Sequence, residues 1–180
     1  MKKLTTLILV ASVLPTGASA EALWMRDVKI SPDGTHIAFE YKGDIFTVPA
    51  TGGMATRLTT NPAYDSNPIW SPDGTRIAFA SARHGNFDVY VMPSGGGTAT
   101  RLTRNQAAEI PEAFSPDGRT VYFSAAIQNP AQSAMFPSSR MSEFYAVGVE
   151  GGKPRQVLGT PAQMPTFSAD GNVMLYQDVK

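Results

Sequence analysis

The sequence predicts an all-β fold, a partial β-propeller of four-stranded antiparallel blades, with three complete blades and half of a fourth. Three observations lead there. A turn sequence recurs as Ser31-Pro32-Asp33-Gly34, Ser71-Pro72-Asp73-Gly74, Ser115-Pro116-Asp117-Gly118 and, altered, Ser168-Ala169-Asp170-Gly171. The turn serines at 31, 71, 115 and 168 stand 40, 44 and 53 residues apart, and four-stranded blade repeats span about 40–45 residues. The β-prone runs after each turn are apolar on both alternating faces, as Ile45, Phe46 and Val48 show. A small sheet with two apolar faces is sandwiched between neighbours, as in stacked blades. A β-sandwich explains the strands but not one turn at one place in a recurring four-strand unit.

The chain opens with a segment outside that pattern. Lys2 and Lys3 precede the apolar run Leu4–Leu14, and Ala18-Ser19-Ala20 is a small-x-small cleavage sequence. Residues 1–20 read as a secretory signal peptide, too short to span a membrane. The expected location is therefore exported, periplasmic or secreted. Cysteine is absent, so the exported chain must be stabilised by burial rather than disulfides. Without Lys2 and Lys3 the 15 basic residues become 13 against 15 acidic ones. The charge is then slightly negative with no basic stripe, which gives nucleic acid no electrostatic footprint. No later apolar run reaches membrane-spanning length.

Each unit follows one order. A short strand leads into the turn: 28–30, 68–70, 112–114 and 165–167. In the turn, Pro presets φ, Asp caps a backbone N–H, and Gly takes the left-handed conformation that closes the hairpin. Asp33, Gly34, Asp73, Gly74, Asp117, Gly118, Asp170 and Gly171 are thereby read as structural. A second strand follows at 36–39, 76–79, 120–123 and 173–176. A third starts at an acid: Asp44, Asp88 and Glu143. A glycine turn (Gly52-Gly53, Gly95-Gly96-Gly97, Gly151-Gly152) leads to a fourth strand at 55–59, 99–103 and 154–158. The propeller segment is 21–180, with blades at about 24–60, 64–103, 108–158 and 163–180. A ring needs at least four blades, so this segment is expected to be incomplete at its C-terminus and completed by further blades of a longer parent.

The repeats also locate their own variation. From turn serine to third-strand acid the distances are 13, 17 and 28, whereas from that acid to the next turn serine they are 27, 27 and 25. The excess falls between the second and third strands, and insertions on one face of a repeat array often mark its binding face. The longest insertion runs from Ile127 to Ser142. Within it Met135, Phe136, Arg140 and Met141 are the candidate interaction residues, because Met, Phe and Arg make adaptable contact surfaces. Packing of that loop on its own blade, or on another domain of the parent protein, is the competing reading.

Other chemistry finds little support. The two histidines, His36 and His84, fall at a strand start and in a hairpin loop, away from any G-x-S-x-G motif. Each turn aspartate serves its own turn, without the spacing of a calcium loop. Gly95–Gly97 lacks a Walker lysine and a following helix. No catalytic, cofactor or metal residue is assigned. Trp24 and Trp70 are expected to pack between blades.

Ile69–Phe79 (IWSPDGTRIAF), with Asp88–Val91 and Arg101–Thr103, resembles the propeller repeat of the TolB family and of tricorn-type proteases. The stretch 43–59 (GDIFTVPATGGMATRLT), together with the long third-unit insertion, resembles the N-terminal propeller of exported tricorn-like serine peptidases. That resemblance implies a PDZ domain and a C-terminal-processing-type catalytic domain beyond Lys180. It also implies a non-catalytic role here, docking or gating peptide and protein substrates. No catalytic position of that family falls in this chain. The TolB alternative implies a periplasmic protein-binding module without enzymatic activity. It would also place another small domain before the propeller. A prolyl-oligopeptidase-type hydrolase, with a downstream G-x-S-x-G motif, is a third possibility.

Overall fold

A computed structural model of the chain describes residues 24–127, 142–158, 162–168 and 170–178. Blade 1 is built from β1 (Arg26–Ile30), β2 (His36–Tyr41), β3 (Asp44–Pro49) and β4 (Thr56–Arg57). Blade 2 comprises β5 (Asp65–Trp70), β6 (Arg76–Ser81), β7 (Asp88–Pro93) and β8 (Thr100–Arg101). Blade 3 follows with β9 (Glu109–Phe114), β10 (Thr120–Ala125), β11 (Glu143–Gly148) and β12 (Arg155–Leu158). The last two strands, β13 (Ala162–Phe167) and β14 (Met174–Asp178), form a two-stranded half-blade. Each complete blade is an antiparallel meander in chain order. First strands of successive blades pack against one another, so β1, β5, β9 and β13 form the inner wall of the arc.

Alternation of side chains places the core between blades rather than within one. Ile77, Phe79, Tyr90 and Met92 of blade 2 cluster with Ala38, Ile45 and Leu58 of blade 1. The intervening residues Ala78, Val89 and Val91 cluster with Val121, Phe123, Tyr145 and Val147 of blade 3. Period-two side chains thus supply two different interfaces from one sheet. Paired rings recur across the second and third strands. Phe39–Phe46, Phe79–Tyr90 and Phe123–Tyr145 stack at 5.8, 5.8 and 5.6 Å between centroids.

Two sequence expectations change. The outer strands are shorter than 55–59 and 99–103, because the ladder ends on a side chain. Thr59 Oγ1 accepts the Ile45 amide and Thr103 Oγ1 accepts the Val89 amide, both at 2.9 Å. Trp24 does not pack between blades. It is 74% exposed, at left-handed φ of 79°. Trp70 is half-buried against the blade 1–2 cluster, and its indole N–H donates to the Lys29 carbonyl at 3.1 Å.

Candidate functional site

The turns occupy one end of the arc. Ser31 Oγ donates to Asp33 Oδ1 at 2.5 Å and accepts the His36 amide at 2.9 Å, while Asp33 Oδ1 accepts the Thr35 amide at 3.0 Å. The same network recurs at Ser71 and Asp73, Ser115 and Asp117, and Ser168 and Asp170. The serine hydroxyl, then the backbone amide, holds the Asp33, Asp73 and Asp170 carboxyls at about 2, and lowers Asp117 likewise. These oxygens are therefore engaged by their own turns. Gly34, Gly74, Gly118 and Gly171 all have φ near +70°, a region that favours glycine. The turns stack from blade to blade. A Cβ at Gly74 would lie 3.9 Å from Pro32, and one at Gly118 3.8 Å from Pro72.

Two clefts open between these turns. The one between blades 1 and 2 has a volume of about 760 Å³ and includes Asp33, His36, Thr47, Trp70 and Asp73 in its walls. The one between blades 2 and 3, about 400 Å³, contains Arg76 and Glu150, which approach to 3.5 Å. His36 is exposed and bonds the neighbouring Thr35 hydroxyl at 2.8 Å. His84 Nδ1 meets the Tyr90 hydroxyl at 2.8 Å, with the two rings stacked. Both histidine contacts stay within one blade. Among the described residues no group of three His, Cys, Asp or Glu is placed to hold a metal ion.

At the opposite end the third-strand acids meet outer-strand arginines. Asp44 pairs with Arg57 at 2.6 Å and Asp88 with Arg101 at 2.8 Å. Blade 3 has Glu143 at the corresponding position, in contact with the Tyr145 hydroxyl, and its register places Gln156 where the other blades have arginine. The sequence order displays these acids and arginines, but not that they pair.

A second acid row was not anticipated. Asp65 and Glu109 each stand six residues before a turn serine, a spacing that could have found them. Each begins an inner strand and is fully buried. Asp65 pairs with Arg83 at 2.9 Å. Burial pushes the Glu109 carboxyl up, opposed in part by the Thr103 hydroxyl and the Asn105 backbone, and neither of its oxygens has a well-formed hydrogen bond.

The inner wall carries an irregularity that the turn spacing does not reveal. Every first strand is bulged by one residue against the second. Asp27, Asn67 and Met164, each four residues before a turn serine, hold left-handed φ of 50–53°. In blade 3 that position is Pro111, whose ring forbids positive φ. The bulged residue there is Glu112. It accepts the Ser124 hydroxyl at 2.8 Å and interacts with the Met164 backbone, while burial raises its pKa. Bulges of this kind re-aim side chains and concentrate beside functional surfaces. Met135, Phe136, Arg140 and Met141 lie outside the described residues.

The blades, their inter-blade cores and their inner wall define an open segment of β-propeller. The profile of the family described as "Tricorn protease N-terminal beta propeller domain" matches residues 22–180. The chain belongs to that family. It is 34% identical over 77 residues to a "Protein TolB homolog" of Chlorobium luteolum, covering 43% of this chain and 17% of that protein. It is 37% identical over 54 residues to "Tricorn protease homolog 1" of Streptomyces coelicolor, covering 30% of this chain and 5% of that protein. The matched segments thus span less than a fifth of those relatives. In fold it resembles a solved TolB-type structure from Agrobacterium tumefaciens, with a TM-score of 0.70, 20% identity, and coverage of 86% of this chain and 54% of that one.

Proposed function

We propose that this chain is the non-catalytic propeller segment, residues 21–180, of an exported tricorn-like serine peptidase, and that it docks or gates peptide or protein substrates. The observation that carries the reading is the family match over 22–180, which begins where the sequence places the end of a signal peptide. The inner wall, with its bulged strands and the exposed Asp27 and Met164, is the proposed contact surface, extended by Met135, Phe136, Arg140 and Met141. The turn residues Asp33, Asp73, Asp117 and Asp170 act structurally.

Two measurements test this. Expression of the native gene through its stop codon, followed by labelling with a serine-directed covalent probe, should give a labelled product longer than 180 residues. An unlabelled product that only completes the propeller would overturn the peptidase reading. N-terminal sequencing of periplasmic material should start at Glu21.

A TolB-like binding module is the second reading, favoured by the identity to a TolB homolog over 77 residues and by the TM-score of 0.70. Co-purification with envelope lipoproteins, together with an unlabelled product, would favour it.

A further inference from the structure

Blade 2 contains an arginine site whose other components recur in blade 3 without the arginine. In blade 2, Asp65, Ser81 and Asp88 are direct cross-strand neighbours, so their side chains share one face. Arg83 pairs with Asp65 at 2.9 Å, and its guanidinium lies 5.5 Å from the Phe79 ring centroid and 5.0 Å from that of Tyr90. The acid supplies charge and the stacked rings supply the face that a flat cation prefers.

Blade 3 repeats that arrangement in register. Glu109, Ala125 and Glu143 are the cross-strand neighbours. Phe123 and Tyr145 stack as Phe79 and Tyr90 do. Two residues beyond the central strand, where blade 2 has Arg83, blade 3 has Ile127. Glu109 is fully buried and neither oxygen has a well-formed hydrogen bond. Burying a carboxylate is costly, and the Thr103 hydroxyl, the Asn105 backbone and the charge of Arg101 offset that cost for Glu109 only in part. A cleft of about 450 Å³ between blades 2 and 3 is lined by Glu109, Ile127 and Tyr145, with Arg104, Asn105 and Lys153 also in its wall.

We propose that this cleft binds the C-terminal arginine of a peptide, its guanidinium directed to Glu109 and the Phe123–Tyr145 rings, and its terminal carboxylate to Arg104 and Lys153. The two lining cations disfavour a bare cation but suit a ligand carrying both signs. This deepens the docking role proposed above by naming the residue that is docked. Both Glu109 oxygens lie beneath the cleft surface, so a lining side chain must swing aside on binding. Ile127, at the position of Arg83, is the natural one.

Isothermal titration of the full chain with L-arginine, agmatine and L-citrulline tests the chemistry. L-Arginine should bind. Agmatine, without the carboxylate, should bind more weakly, and citrulline, without the charge, should fail. Glu109→Gln should weaken L-arginine by about tenfold or more, the scale of one lost charge-assisted bond. Ile127→Arg supplies the guanidinium from within. It should raise the melting temperature and abolish arginine binding. The same titration on Arg140→Ala separates a ligand's guanidinium from one supplied by this chain: unchanged affinity supports the proposal, and binding gained only in that variant overturns it. Equal affinity for arginine and citrulline, or an unaffected Glu109→Gln, also overturns it. Success with free arginine but not with arginine-terminated peptides would reject the docking role while leaving the arginine site intact.

Discussion

Blades 1 and 2 follow the same strand pattern in very different surroundings. Their second strands read HIAFEY and RIAFAS, and their third strands DIFTVP and DVYVMP. In blade 2 the third strand is buried at every position but the last, whereas in blade 1 burial alternates, with Phe46 and Val48 half-exposed. The first strands differ more, since β1 is exposed throughout and β5 is largely buried. The difference arises outside the blade. Ile77 and Phe79 meet blade 1 while Ala78 and Val89 meet blade 3. On blade 1, Phe39 and Phe46 stack only with each other and with Tyr41 among the described residues. Neighbour interfaces thus supply much of a repeat's stability.

The largest test of this comparison is truncation of rings on corresponding faces, Phe79 in the second strand of blade 2 and Phe46 in the third strand of blade 1. Phe79→Ala removes a fully buried ring and should cost about 3–5 kcal/mol. Phe46→Ala, at the corresponding face of blade 1, should cost roughly half of that or less, because less area leaves contact. Urea unfolding of both variants reads the difference. Equal costs would show that blade 1 is covered in solution.

Next come the repeated ion pairs. Asp88 and Arg101 have side chains 0% and 19% exposed, whereas Asp44 and Arg57 have 13% and 47%. Asp88→Ala leaves a largely buried arginine unpaired and should cost about 3 kcal/mol. Asp44→Ala should cost about 1 kcal/mol or less, because solvent screens that pair. High salt should diminish only the second. An equal salt response in both variants would undo the contrast.

The buried Glu109 and the exposed turn acids respond oppositely to pH. Burial raises the Glu109 carboxyl above its ordinary value of 4.5. Below that value both folded and unfolded chains hold the proton, and Glu109 costs nothing. As pH rises through 4.5 the unfolded chain releases it first and stability falls, until the raised folded value is passed. Glu109→Gln should therefore stabilise near neutral pH, with the gain vanishing toward pH 4. The turn acids run oppositely. Asp73 is held at about 2 against an ordinary 3.8, so its contribution is present above 3.8 and lost as pH falls through 2. Asp73→Asn should lower the melting temperature at pH 6 and leave it unchanged near pH 2. Thermal unfolding across pH 2–8 measures both, and matching profiles for the two variants would refute the assignment.

These contrasts show what the sequence could and could not reveal. The Ser-Pro-Asp-Gly spacing carries blade phase, because the turn is local: Ser, Asp and Gly bond residues at most five positions apart. Acid–arginine pairing required register. Asp44 and Arg57 are thirteen residues apart and meet only once β3 and β4 align. Arg83 and Ile127 looked unrelated until cross-strand alignment placed both two residues past the second strand. Trp24 departs from its expected packing because its ring is apolar while it precedes a first strand exposed throughout, and it is itself 74% exposed.

The smallest predicted effect concerns the inner-wall bulges, which composition hides most completely. Asp27, Asn67 and Met164 share a conformation but no residue type. Asn and Asp enter the left-handed region at modest cost because their short polar side chains bond locally, whereas Met has no such compensation. Substituting glycine relieves that strain but enlarges the entropy of the unfolded chain. For Asn67 the two terms nearly cancel, and Asn67→Gly should change stability by about 0.5 kcal/mol or less. For Met164, largely exposed and with little packing to lose, relief should win by about 0.5–1 kcal/mol. Hydrogen exchange of the β13–β14 amides would show the gain locally. Slower exchange in Met164→Gly, with no change in blade 2 for Asn67→Gly, supports a bulge imposed by the inner wall. Faster exchange in Met164→Gly would mean that the methionine itself holds the half-blade against β9.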